Sequence, residues 1–190
     1  MLSEKLKNET LSQHQQLEKR LVTRIKNATT TADYIDILQL FYGYFGGLEQ
    51  YINQFIGSSQ LADYTQRRKT DAIAQDIKTL GADPVTIAQN YELPQINSLP
   101  EAFGAMYVIE GSTLGGSIIS KMISSRLGIS NGLSFFNGYG EKTQQMWEEF
   151  RNKLNQIPTE SQTQQAVITA ANNTFIKFSN WIDRHGQKEL

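Results

Sequence analysis

Two stretches of the chain hold residue types suited to chemistry. Near the start, His14 and Glu18 stand one helical turn apart. A neutral imidazole is a common metal ligand, and a carboxylate one turn on could orient its Nδ1–H directly or through water. A histidine on an apolar helix face is also, more often, a core residue with both nitrogens satisfied, and position alone leaves both readings open. In the middle of the chain lies Glu110-Gly111-Ser112-Thr113-Leu114-Gly115-Gly116. With Gly104, this stretch places glycine repeatedly inside a helical pattern. Each interior glycine costs about 1 kcal/mol relative to alanine, so the four together cost roughly 4 kcal/mol. Something must outweigh that. Glycine permits a kink and lets another body approach the backbone closely. That body is either a neighbouring helix or a flat ligand lying on the helix.

These residues need elements to position them. A first helix is expected from Ser3 to about Lys26. Leu6, Thr10, His14, Leu17, Leu21 and Ile25 recur at steps of three and four and share one face. The glycine-rich stretch reads as one long helix. It opens at Ser98 and Glu101, which have capping-box spacing around Pro100, and stops at Gly128. Between these two, a second helix follows Thr29–Thr31. Its stripe of Tyr34, Leu38, Phe41, Phe45, Leu48, Ile52 and Phe55 reads as core, with Gly43, Gly46 and Gly47 admitting a neighbouring helix. Residues 60–80 read as one or two short helices, with Arg67-Arg68-Lys69 as a solvated face. Gly81 and Asp83-Pro84 begin an irregular connection. A loop holds Phe135, Phe136, Gly138, Tyr139 and Gly140. A helix over about 141–156 follows, then a last helix over about 160–184 with Val167, Ala171, Phe175, Phe178 and Ile182 inward. His185 falls at its end, where a cation suits the helix dipole. No period-two pattern suggests a strand. The expected fold is all-α, one domain spanning 1–190.

Composition narrows the function. The chain has 190 residues, 39% of them hydrophobic and 19% charged, enough for one real core. A net charge of −1 implies no polyanion-binding surface, so no nucleic acid partner is expected. The absence of cysteine excludes disulfides, cysteine–zinc sites and thiol catalysis, and fits a reducing compartment. No apolar run is long enough to span a bilayer, so no membrane partner is expected and a cytoplasmic protein is the default. A di-iron carboxylate bundle would want Glu-x-x-His pairs. Neither His14 nor His185 follows a glutamate at that spacing.

The glycine-rich stretch, with Gly104-Ala105-Met106-Tyr107-Val108 before it, resembles the distal helix of bacterial heme oxygenases. The similarity extends to Leu6-Lys7-Asn8-Glu9-Thr10 ahead of His14 and to Phe135-Phe136-Asn137-Gly138-Tyr139-Gly140 through Met146-Trp147. In style it is closest to the forms found with bacteriophytochromes. The resemblance implies a heme oxygenase-like multi-helix bundle whose glycine-rich distal helix is kinked. Heme would be substrate and cofactor together, cleaved with O2 and outside electrons to biliverdin, carbon monoxide and ferrous iron. It places His14 as the axial ligand of the heme iron, with Glu18 behind it. Gly111, Ser112, Gly115 and Gly116 would let the distal backbone approach the iron-bound oxygen. Tyr107 and Phe175 would be heme contacts, and Lys7 and Arg151 would meet the propionates. Electrons would come from a ferredoxin or an NAD(P)H-dependent reductase, for which Arg67–Lys69 could be part of a docking site. Ser112 departs from animal-type members, which carry an aspartate there to order distal water. Backbone carbonyls of Gly111 and Ser112 with water would replace it. A non-catalytic heme carrier or sensor would need the same His14 and glycine helix, and only turnover separates the two.

Overall fold

The computed structural model describes residues 1–186. Eight helices follow in order: α1 Leu2–Asn27, α2 Thr31–Ile52, α3 Asp71–Thr79, α4 Leu99–Gly111, α5 Thr113–Leu127, α6 Ser134–Asn137, α7 Thr143–Leu154 and α8 Ser161–His185. Short 3₁₀ turns at Tyr64–Gln66, Asn90–Glu92 and Gly140–Lys142 join them, and the described residues contain no strand.

Local sequence sets the helix ends. Thr30 and Asp33 cap α2 reciprocally. The Asp33 amide donates to the Thr30 hydroxyl at 3.1 Å, and the Thr30 amide donates to Asp33 Oδ2 at 2.9 Å. Ser98 accepts from the Glu101 amide at the head of α4, with Pro100 in the first turn. Gly128 ends α5 at φ 67°, a left-handed conformation that a side chain would strain. Asp76, buried on α3, accepts the Ser134 and Phe135 amides at 3.1 and 2.8 Å and so starts α6 where the sequence suggested only a loop.

The expected single glycine-rich helix is two. Helix α4 ends at Gly111 and α5 begins at Thr113, with Ser112 between them. The four costly glycines separate into different jobs. A Cβ at Gly104 would collide with the Val167 carbonyl of α8, and one at Gly116 with the Phe136 carbonyl of α6. A Cβ at Gly111 would only touch Trp147, and at Gly115 it would meet nothing within 4 Å.

Helix α8 is the common wall, packing chiefly on α4 and α1. Its Phe178 stacks on Tyr44 of α2 at 4.6 Å, within a cluster that includes Phe41, Phe45 and Phe135. Tyr44 donates to the Thr174 carbonyl and Trp181 to the Leu40 carbonyl, so the buried polar tips are paired. The glycines of α2 do not simply admit a helix. Gly43 makes room for Trp181 of α8, but Gly46 and Gly47 are filled by the irregular segment at Ile87 and Ala88. The Ala88 amide donates to the Gly43 carbonyl at 2.9 Å and straps that segment to α2.

Candidate functional site

On α1, Leu6, Thr10, Leu17 and Ile25 are buried, whereas His14, in the same stripe, is exposed. Its ring lies 5.5 Å from that of Phe175 on α8. The imidazole therefore rests against an aromatic wall with its nitrogens unengaged: among the described residues it makes no hydrogen bond, to Glu18 or to anything else. Glu18 and Lys7 are exposed on the same helix and likewise make no hydrogen bond or ion pair among the described residues.

Helix α5 presents a second open surface. Leu114 is 43% exposed and Ile118 66%, flanking the empty space at Gly115. On α1, Leu11 is 47% exposed one turn before His14. Large aliphatic side chains left open beside a bare backbone mark a surface awaiting an apolar partner. Gly116 belongs to this stretch in sequence, but its close approach is to α6.

Tyr107, half-buried on α4, joins these parts to α7. Its ring is 5.5 Å from that of Trp147, and burial pushes its hydroxyl pKa up, with a hydrogen bond to Thr10 and the charge of Arg151 opposing and Glu4 reinforcing that shift. Arg151 is already engaged. It donates to Glu4 at 2.7 Å and to Glu148 at 3.3 Å, tying α7 to the start of α1.

The basic run has a different role from a solvated face. Arg67 is buried, with Nη1 donating to Glu110 Oε2 at 2.7 Å and to the Met146 carbonyl at 2.8 Å. Arg68 spans the break between α4 and α5. Its Nη2 donates to Ser112 Oγ at 2.6 Å and to the Ile109 carbonyl at 3.0 Å, and its Nη1 to the Phe135 carbonyl at 3.1 Å. The guanidinium also sits 4.1 Å from the Phe135 ring centre. Burial lowers its pKa to about 10, which leaves it cationic at neutral pH. Lys69 lies over the Tyr64 ring and near Glu49. The run is thus occupied within the protein and offers no free basic face for docking.

Ser112 uses its one proton internally, donating to the Ile109 carbonyl at 2.6 Å while accepting from Arg68. The break is therefore a polar, hydrogen-bonded point between two apolar helix faces. Sequence reasoning missed Arg68. Its partner is 44 residues away, and three adjacent cations carry no periodic signal of burial. At the other end of α8, His185 stacks on Trp181 and lies 3.3 Å from Glu92, a partner beyond the helix dipole. No cluster of three or more histidine or acidic side chains that could hold a metal ion occurs among the described residues.

The family model for heme oxygenase matches residues 1–184. A curated heme oxygenase of Xanthomonas campestris pv. campestris (strain 8004) is 27% identical over 146 residues, covering 76% of this chain and 86% of that protein. In fold, the chain is similar to the NO- and CO-bound heme oxygenase of Neisseria meningitidis. That match has a TM-score of 0.80 at 20% identity over 100% of this chain and 94% of that one. The heme oxygenase of Leptospira interrogans follows, with a TM-score of 0.74 at 16% identity over 96% and 98%.

Proposed function

The chain belongs to the heme oxygenase family, and from that premise we propose that it cleaves heme with O2 and reducing equivalents to biliverdin, carbon monoxide and ferrous iron, between α1 and α5. Heme is the substrate, and when bound it supplies both the redox iron and the carbon that is oxidised. The observation that carries the site is the exposed, unengaged imidazole of His14 against Phe175. The bare backbone at Gly115, between exposed Leu114 and Ile118, fits the second face of a flat apolar ring.

Each residue then has a task. His14 holds the iron through a ring nitrogen that no protein group occupies. Phe175 keeps the imidazole upright by ring contact. Leu11, Leu114 and Ile118 exclude water from the ring faces. Gly115 admits the ring, and the Gly111 backbone, backed by Trp147, lines the oxygen side. Lys7 is free to meet one propionate, and Tyr107 and Arg151 stand near the second. Ser112 has no proton to spare, so protons reach the oxygen side through water held by the carbonyls of Gly111 and Ser112. Gly116 serves the site indirectly, by seating α5 on α6.

Electrons come from an external donor, a ferredoxin or an NAD(P)H-dependent reductase. No helix of the described residues is long and apolar enough to cross a membrane, and we place the reaction in the cytoplasm.

The test is to add hemin, then ascorbate under air. A Soret band that decays into biliverdin absorbance is expected. A Soret band that persists through repeated reduction would make the protein a heme carrier instead.

A further inference from the structure

Glu110 is 1% exposed and lies two residues before the break at Ser112. Its carboxylate gathers partners from distant parts of the chain. Arg67 donates to Oε2 at 2.7 Å, and the Tyr139 hydroxyl lies 3.0 Å from Oε1. Arg67 is itself held by Asp63 through Nε at 3.1 Å and by the Met146 carbonyl of α7. Tyr139 also accepts the backbone N–H of Arg68 at 2.9 Å. The residue whose guanidinium grips Ser112 is thus tied to the same carboxylate.

A buried ion pair is seldom kept for stability. Replacing both partners by apolar side chains of similar size is often neutral or stabilising, whereas removing one alone is costly. In some folds such a pair instead fixes geometry, because each charge must find its partner in one arrangement. Here that arrangement is imposed on the last turn of α4, and through Arg68 on Ser112. An apolar contact at Glu110 would allow the turn to slide or rotate at little cost. The exposed residues of α5 that face the ligand begin just beyond.

We propose that Arg67 and Glu110 are positioning residues. Their buried pair, coupled to Arg68 through Tyr139, sets the height and rotation of the Gly111–Gly115 backbone over the heme face and so the ring carbon that is attacked. This rests on the placement of α5 against heme given above. Neither residue touches the substrate; both act through Ser112 and the backbone.

The test compares parent, Glu110→Gln and the double variant Arg67→Met/Glu110→Met. Amide hydrogen exchange of the ligand-free protein is read at 111–116 and, as an internal reference, in α8. The carbonmonoxy complex of reduced hemin is read by its Fe–CO stretch, and biliverdin isomers by chromatography. The double variant is expected to melt near the parent temperature and to bind hemin with similar affinity. Exchange at 111–116 should rise by about tenfold while α8 stays protected. The Fe–CO stretch should shift, and a single biliverdin isomer should become a mixture. Parent-like exchange, stretch and isomer ratio in a folded double variant would overturn the proposal. If that variant does not fold, Glu110→Gln decides. Faster exchange confined to 111–116 supports the proposal, and a uniform rise that includes α8 overturns it. Gly115→Leu separates this from failure of the site itself. Hemin binding at parent affinity in Gly115→Leu would remove α5 from the heme face. Lost binding there, with unchanged double-variant readouts, would remove only the positioning role.

Discussion

An imidazole left exposed on a mostly buried stripe can take a ligand without giving up an existing bond. This is the state of His14. His14→Ala should still admit hemin between the apolar walls but lose its histidine-type spectrum, and added imidazole should restore it with part of the activity. An unchanged spectrum without imidazole would transfer the ligand role elsewhere, with His185 next in line. On the proposed site, the two propionate contacts would divide unequally. A charge-assisted contact is worth roughly 1.5–3 kcal/mol, but Arg151 already holds Glu4 and Glu148, so its gain on meeting a propionate is partly offset. Lys7 has no such competitor. Two heme rotations that differ by about 1.4 kcal/mol are populated ten to one, so loss of one contact can erase the preference. Lys7→Ala is therefore expected to change the biliverdin isomer ratio more than Arg151→Ala does, and both should change hemin affinity only modestly. Chromatography beside a hemin titration checks this; a larger isomer change in Arg151→Ala would reverse the assignment. Periodicity placed His14 on one face with Leu6 and Leu17, which reads equally as core, and only the resemblance singled it out as a ligand. The sequence hid Arg68, because a half-buried guanidinium engaged by tertiary contacts looks, along the chain, like any exposed cation.

At the scale of elements, the two neighbouring glycines of α5 make opposite forecasts. Gly115 meets nothing that a Cβ would touch, and its φ is helical. Gly115→Ala should stabilise the ligand-free protein by about 0.5–1 kcal/mol while weakening hemin binding. Gly116 is pressed against the Phe136 carbonyl. Gly116→Ala should destabilise the protein by about 1–3 kcal/mol, since backbone must shift to admit the methyl group. Calorimetry of both ligand-free variants is the measurement, and equal effects would mean that α5 sits differently on α6. Helix ends were readable from the caps at Thr30 and Ser98 and from the stop at Gly128. The partner of each glycine was not, since glycine records that something comes close and not what. Gly104, Gly46 and Gly116 look alike in sequence yet meet the long helix α8, a strap and the short helix α6.

Across the whole molecule, buried phenols set the alkaline limit. Burial raises Tyr34, Tyr44, Tyr64, Tyr107 and Tyr139 above the ordinary value of 10.0, with nearby carboxylates adding to the rise at Tyr34, Tyr64 and Tyr139. In the unfolded chain these groups ionise near pH 10, while in the folded protein they stay protonated. Above that pH the unfolded state binds fewer protons, so stability is complete below about pH 10 and is lost as pH rises further. Unfolding followed by circular dichroism should coincide with tyrosinate absorbance. Tyrosinate appearing well before the helical signal falls would mean the phenols are more open than their burial suggests. The all-α architecture was legible throughout, because each long helix keeps an apolar stripe. That the last helix would be the wall shared by the first and the fourth was not, since pairing of helices leaves no periodic trace.

That shared wall has a consequence for synthesis. Helices α1 and α4 both rest on α8, and Phe175, behind His14, belongs to it. Helix α8 leaves the ribosome after both of them. Until it emerges, α1 lacks its main partner and the imidazole has no ring behind it. On the reading that His14 takes the heme iron, a chain that has not yet added α8 offers no finished site, so capture of heme waits on that helix. For a catalyst that destroys its own ligand and must be loaded again for every turnover, that ordering carries no penalty.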